Sequence, residues 1–307
     1  MEFEHIPVML FPAVNALNIK RDGIYVDCTV GGGGHSYEIA SRLSDKGRLF
    51  CFDRDSEAIE AAARRLEAFG NRVTFINRNF ADVSEVLGEI RIDGAIIDLG
   101  VSSYQIDNPE RGFSYIKDAP LDMRMSRGDG KSAYDVVNYY SKEELIRVLR
   151  RYGEERFAPK IASYIINARE KKPVSTTLEL AEIVKKAIGA SASKDGGHPA
   201  KRTFQAIRIE VNGELDAVSP ALRALTELLV PGGRLSVITF HSLEDRIVKQ
   251  TFAELSKGCI CPPKLPVCAC GRKPVLKLLS GAIVPDDDEI RRNPRSKSAK
   301  LRVAEKL

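Results

Sequence analysis

The chain has 307 residues, 43% of them hydrophobic and 29% charged, with a formal net charge of +5. That length suits one large domain or two ordinary ones, the composition is that of a soluble globular protein, and no run approaches the roughly 18 consecutive apolar residues of a membrane-spanning helix. The opening residues, MEFEHIPVML, lack the basic start and long apolar stretch of a secretory signal, so a cytoplasmic protein is expected.

The first hundred residues alternate between strand and helix signals. GIYVDCTV (23–30) reads as a buried strand with a glycine-rich exit, and SYEIASRLSD (36–45) as a helix. GRLFCFDRD (47–55) is a second strand. SEAIEAAARRLEAFG (56–70) has a polar start, an alanine-rich middle and a glycine stop, which predicts a helix. RVTFINRNF (72–80), VSEVLGEI (83–90) and IDGAIIDLGVSS (92–103) continue as strand, helix and strand. Short connections between such units imply a parallel sheet with helices on both faces, an α/β, Rossmann-like fold.

From 105 to about 208 no buried strand is evident. SAYDVVNYYSKEELIRVLRRYG, FAPKIASYIINAREKK and TTLELAEIVKKAIG each read as a helix, joined by Gly-, Pro- and Ser-rich pieces. Helix, Pro-Gly-Gly turn and strand return in ALRALTELLVPGGRLSVITF (221–240), followed by the helix SLEDRIVKQTFAEL and a last strand at KLRVAEK (300–306). The expected organisation is a core of 1–104 and 210–307 split by a helical insertion at 105–209.

Four consecutive glycines, Gly31 to Gly34, follow the first strand. A dinucleotide fingerprint needs G-x-G-x-x-G, but Ser36 occupies the third glycine position after Gly31 and Gly33. The pattern Asp27-x-Thr29-x-Gly31-x-Gly33 instead resembles motif I of Rossmann-like S-adenosylmethionine-dependent methyltransferases, with Thr29 replacing the usual first glycine. Asp53, at the end of the second strand, suits the ribose hydroxyls of a nucleoside, or else caps the next helix. Phe80 can stack on adenine or belong to the core. Asp98 leaves the fourth strand at its carboxyl end, where open α/β sheets bind ligands.

The blocks GGGGHS, DLGVSSYQID, RGFSY with PLDMRM, HPAKRTFQAIRIEVNGEL, TFHSLEDRIVK and NPRSKSAKLRVAE resemble the signature blocks of the ribosomal RNA small-subunit methyltransferase H family, also called MraW. The resemblance implies methyl transfer from S-adenosylmethionine to the exocyclic N4 of a cytidine in the decoding region of 16S ribosomal RNA. It also implies that the helical insertion helps recognise substrate. The family's ligand positions fall on Gly33, Gly34, His35, Asp53, Phe80, Asp98 and Gln105; His35 and Gln105 rest on the resemblance alone.

Many amino-methyltransferases follow the fourth strand with an acidic or amide residue, Pro-Pro and an aromatic. Here Asp98-Leu99-Gly100-Val101 keeps only the acid. Catalysis is therefore expected from positioning of the amine by Asp98 and by His241 in TFHSLEDR, although His241 can equally be a structural residue at a helix start. Lys201, Arg202, Arg292, Arg295 and Lys297 lie in basic segments suited to RNA phosphates; the same segments can be separate solvated faces. Phe113, Tyr115 and Phe240 are candidates to receive an unstacked base or to fill the core.

Cys28 and Cys51 read as core residues. Cys259, Cys261, Cys268 and Cys270 cluster in CICPPKLPVCAC, where zinc, disulfides and free thiols all remain open. An NAD-dependent oxidoreductase and a non-catalytic RNA-binding protein are the alternative functions. A homodimer is compatible with the sequence.

Overall fold

The computed structural model describes residues 7–128, 130–189, 198–259, 261 and 269–307. The chain divides into two compact units, residues 1–100 with 215–307, and residues 101–214.

The first unit begins with α1 (Leu10–Ala16) and then alternates: β1 (Ile24–Asp27), α2 (Gly34–Arg42), β2 (Arg48–Phe52), α3 (Ser56–Arg65), β3 (Val73–Ile76), α4 (Val83–Leu87) and β4 (Ile92–Asp98). The second unit carries α5 (Ser103–Asp107), α6 (Ala133–Tyr139), α7 (Lys142–Gly153), α8 (Ala158–Arg169), α9 (Thr177–Ile188) and α10 (Lys201–Asn212). The chain then runs through α11 (Glu214–Leu228), β5 (Leu229–Thr239), α12 (Ser242–Ser256), β6 (Leu276–Leu278), α13 (Asp287–Arg292) and β7 (Lys300–Lys306). Among the described residues no helix is long and apolar enough to cross a membrane.

The strands form one sheet in the order β3-β2-β1-β4-β5-β7-β6. β1 to β5 run parallel, while β7 is antiparallel to both β5 and β6. Both faces are buried, because strand side chains alternate between them. Tyr25, Leu49, Cys51, Ile96, Ile238, Leu301 and Val303 join the core under α1 and α2. Val26, Phe52, Ala95, Ile97, Leu235, Val237 and Ala304 join the core under α4, α11 and α12. This is the doubly wound α/β sheet expected from the alternation. Cys28 and Cys51 are buried in it, as expected.

Three local expectations change. The single helix read over 132–153 is two, α6 and α7. Ser141 opens the second: its Oγ accepts the Glu144 N–H while Glu144 Oε2 accepts the Ser141 N–H. This reciprocal cap makes a break cheaper than a continuous helix. The Pro-Gly-Gly turn lies inside β5 rather than before it. Leu229 pairs with Ile92 and Arg234 with Gly94, so five steps on one strand face two on the other. β6 was not anticipated: it is three residues long and buries only Leu276, too short a pattern to read.

Candidate active site

Parallel strands end together, so the residues following β2, β1, β4 and β5 line one edge of the sheet. β1 has β2 on one side and β4 on the other; the chain reverses direction of travel across the sheet here, which is the switch point where open α/β folds bind ligands. Asp53, Asp27 and Asp98 sit at this edge, with His241 and Glu244 opening α12 after β5.

The glycine loop makes the bend. Gly31 (φ 48°) and Gly33 (φ 77°) both adopt left-handed backbone, and Gly33 is the N-cap of α2. Gly34 is needed for a different reason: a Cβ there would lie 2.1 Å from Pro7 Cγ. The loop is tied to its neighbours by hydrogen bonds. Gly31 N–H donates to Asp53 Oδ2 at 2.9 Å, and Asp55 N–H donates to Asp53 Oδ1 at 3.0 Å. Asp53 therefore does not cap α3; Asp55 does, accepting the Glu57 N–H. Asp27 accepts from Ser36 Oγ at 2.6 Å and from Thr29 N–H at 3.1 Å. Thr29, the departure from the usual glycine pattern, has its own use. Its Oγ1 accepts the Asp98 N–H at 2.7 Å and joins the exits of β1 and β4.

Asp98 is half-buried, and its Oδ1 is buried with no hydrogen-bond partner. Its Oδ2 lies 3.9 Å from His35 Nδ1, beyond hydrogen-bond length. His35 is buried, and its Nε2 donates to the Val8 carbonyl at 3.2 Å. That contact fixes the proton on Nε2 and turns Nδ1 toward Asp98.

These carboxylates ionise reluctantly. Burial pushes Asp27 up to about 6, against the bonds from Ser36 and Thr29. Burial likewise raises Asp53 to about 6, outweighing its two backbone bonds, with the charges of Asp55 and Asp27 adding. Asp98 is held well above the usual carboxylate range, first by desolvation and then by repulsion from Asp27 and Glu244. Asp27 and Asp53 accept from hydroxyl and backbone N–H groups, and the His35 imidazole lies beside Asp98. An edge so arranged favours a cationic ligand with N–H and O–H donors.

His241 caps α12. Its Nδ1 accepts the Glu244 N–H at 3.3 Å, while Glu244 Oε2 accepts N–H bonds from Phe240 (2.7 Å) and His241 (3.2 Å). His241 Nε2 lies 3.0 Å from Glu244 Oε1 but outside hydrogen-bond geometry. The structural alternative for His241 is thus realised at Nδ1, and Nε2 keeps its proton. Glu244, buried, was missed by the sequence reading, although H-x-x-E at a helix start is the spacing of a capping box. Phe80 is half-buried against the core. Phe240 is half-buried too, and lies 3.6 Å from where a Cβ on Gly100 (φ 104°) would stand. An aromatic ring from the segment after β5 thus lies beside the turn after β4.

In the helical unit, Gln105 is buried, and its Oε1 accepts the Ser102 N–H in the cap of α5. The family-like blocks here are largely structural. Buried Arg111 donates to the carbonyls of Arg124 and Met125. Asn212 accepts the Met125 N–H and donates to the Met123 carbonyl. RGFSY, PLDMRM and the end of α10 are thereby joined. Tyr115 stacks on His198, with ring centroids 4.4 Å apart and planes at 14°, and meets Phe204 edge-on. Lys201 and Arg202 are exposed at the adjoining start of α10. In the sheet unit, Arg292, Arg295 and Lys297 are exposed around α13. By contrast, Lys300 and Arg302 of the same basic run pair with Asp245. Cys268 lies outside the described residues.

A dinucleotide-binding Rossmann sheet runs 3-2-1-4-5-6 with all strands parallel; an antiparallel β7 between β5 and β6 departs from it and weakens the NAD alternative. Comparison with known proteins agrees. Residues 2–307 match the model of the MraW methylase family. The chain is 54% identical to a ribosomal RNA small subunit methyltransferase H of Clostridium botulinum (strain Kyoto / Type A2), over 100% of both chains. It is 51% identical, over the same full extent, to the one named alike in Clostridioides difficile (strain 630). A crystal structure of an rRNA methylase from Streptococcus thermophilus aligns with a TM-score of 0.45 at 13% identity, covering 99% of each chain.

Proposed function

The chain belongs to the MraW methylase family, and on that premise we propose that it transfers the methyl group of S-adenosylmethionine to small-subunit ribosomal RNA, at the exocyclic N4 of a cytidine in the decoding region of 16S RNA. The observation that carries the chemistry is Asp98: a strand-end carboxylate whose buried Oδ1 has no partner, beside the bend at Gly31 and Gly33.

The residues present suit S-adenosylmethionine. Asp53 keeps a free lone pair on each oxygen for ribose hydroxyls, Phe80 offers a ring face for adenine, and Gly31, Gly33, Gly34 and His35 hold the loop along the amino-acid part. The three raised carboxylates favour the positive charge of sulfonium and ammonium groups. The bound cofactor supplies an electrophilic methyl on a positively charged sulfur.

The N4 amine is a weak nucleophile because its lone pair is delocalised into the ring. Asp98 Oδ1 accepts one amine N–H, which fixes the nitrogen and turns its lone pair toward the methyl carbon. Once methylated, the amine would be acidic, and Asp98 would take its proton. A carboxylate held above its usual range is a better base for that step than an ordinary one. His241, with its proton on Nε2, orients the base, and Phe240 flanks it. Lys201, Arg202, Arg292, Arg295 and Lys297 contact phosphates, with the helical unit recognising the RNA. The test is radiolabelled methyl transfer to small ribosomal subunits followed by nucleoside identification. N4-methylcytidine as the labelled product supports the reading, and label on another nucleoside or on none overturns it.

A further inference from the structure

Between α12 and β6 lies a cysteine cluster for which methyl transfer has no use. The sulfurs of Cys259, Cys261 and Cys270 all lie within 4.8 Å of one another, and Cys259 Sγ is 3.8 Å from Cys270 Sγ. A disulfide needs about 2.05 Å, so Cys259 and Cys270 are not bonded to each other. A tetrahedral ion with metal–sulfur bonds of about 2.3 Å puts its sulfurs about 3.8 Å apart. The Cys259–Cys270 separation is thus that of two ligands of one zinc ion, not of a bonded pair.

Two further observations suit a site that takes its ligands as thiolates. The Cys261 N–H points at Cys259 Sγ, 3.4 Å away, so a backbone dipole already faces that sulfur. Lys257, Arg272 and Lys273 flank the cysteines in the sequence and offset the negative charge of several thiolates. The base of the excursion is closed independently: Val275 N–H donates to the Leu255 carbonyl at 2.8 Å, and Arg272 Nη2 to the Glu254 carbonyl at 2.5 Å.

We propose that Cys259, Cys261 and Cys270 bind a zinc ion as thiolates, another donor completing the tetrahedron. Each thiol gives up its proton on binding, and no electron changes hands. The ion acts structurally. It clasps the excursion that leaves α12 and returns as β6, the edge strand paired with β7. Metal binding of this kind contributes directly to folding free energy.

The test uses the full-length protein purified without chelator and with its thiols kept reduced. Elemental analysis should find about one zinc per chain. The Cys259→Ser and Cys270→Ser variants should each lower that content about tenfold or more. Replacement by cobalt should give a sulfur-to-cobalt charge-transfer band in the wild type. Alkylation should spare the three thiols until chelator is added, a readout that does not depend on any variant folding. Metal-free protein whose three thiols alkylate without chelator would overturn the site. So would a mass loss showing a disulfide, or equal zinc content in the wild type and a Cys259→Ser, Cys261→Ser, Cys270→Ser triple variant.

Discussion

In the helical unit, acids at helix starts lie under backbone N–H groups. Asp135, Glu144 and Glu179 accept from Ser132, from Ser141 and from Ser175 and Thr176, and these bonds hold all three below the usual carboxylate range. In the sheet unit, Asp27 and Asp53 also accept from backbone N–H groups, yet both are raised because burial outweighs those bonds, and Asp98, with no such bond, is raised by burial and by repulsion from Asp27 and Glu244. The same side-chain chemistry thus does opposite work. A capping acid stabilises the fold once ionised, so its contribution is present above its unfolded value and is lost as pH falls through its lowered folded value. A strand-end acid does the reverse. It costs stability as pH rises past the ordinary carboxylate value toward about 6 for Asp27 and Asp53, and higher for Asp98, and that cost is relieved at lower pH. Such a cost is tolerated where a ligand cation later offsets it.

The sharpest way to break this contrast is Asp98→Asn. Methyl transfer should fall by about 10²–10⁴, while the ligand-free protein should unfold at the same temperature or higher, since a charge opposed by Asp27 and Glu244 is gone. Near-normal turnover would remove Asp98 from the chemistry. Next in size is RNA affinity. Reversing Arg292, Arg295 and Lys297 in the sheet unit, and separately Lys201 and Arg202 in the helical unit, should each weaken binding. Each set should also flatten the salt dependence, by about 0.7–0.9 in log–log slope per lost phosphate contact. A set whose reversal leaves the slope unchanged does not touch RNA.

The pH dependence follows from the raised carboxylates. S-adenosylmethionine affinity should increase as pH rises through about 6, by up to about tenfold per pH unit for each proton released. Calorimetry in buffers of differing protonation enthalpy counts those protons, and a flat profile from acid to neutral pH would sink the idea. His241→Asn and His241→Ala separate cap from chemistry. Asn retains a capping oxygen, so stability restored by Asn but not activity marks a role for the ring in the reaction. The smallest effect belongs to the helical unit. Thr176→Ala removes the cap of α9 and should cost about 1 kcal/mol in denaturant unfolding, with cofactor affinity unchanged. Weakened cofactor binding in that variant would blur the distinction between the two sets of acids.

Much of the sheet was readable because its signals are local. The apolar runs at 24–27, 48–52 and 92–98 and the Ala-rich α3 carry their periodicity in a few consecutive residues. Gly31, Gly33, Asp53 and Asp98 were readable for a related reason: parallel strands in an alternating chain must place their exits on one edge. Glu244, the cap break at Ser141 and strand β6 were not picked out, because a three-residue spacing or a single buried leucine has many innocent readings in a sequence.

Chain order and residue pattern alone therefore settle the alternation of strands and helices, the glycine bend and which acids follow which strands. Folding settles what those acids experience. Asp53 bonds Gly31 across 22 positions, Thr29 meets Asp98 across 69, and His35 reaches back 27 residues to Val8. Desolvation and mutual repulsion arise only when distant segments converge and exclude water. Hence the raised carboxylates, the orphaned oxygen of Asp98 and the cysteine sulfurs brought to metal-ligand spacing belong to the tertiary structure, not to any stretch of sequence.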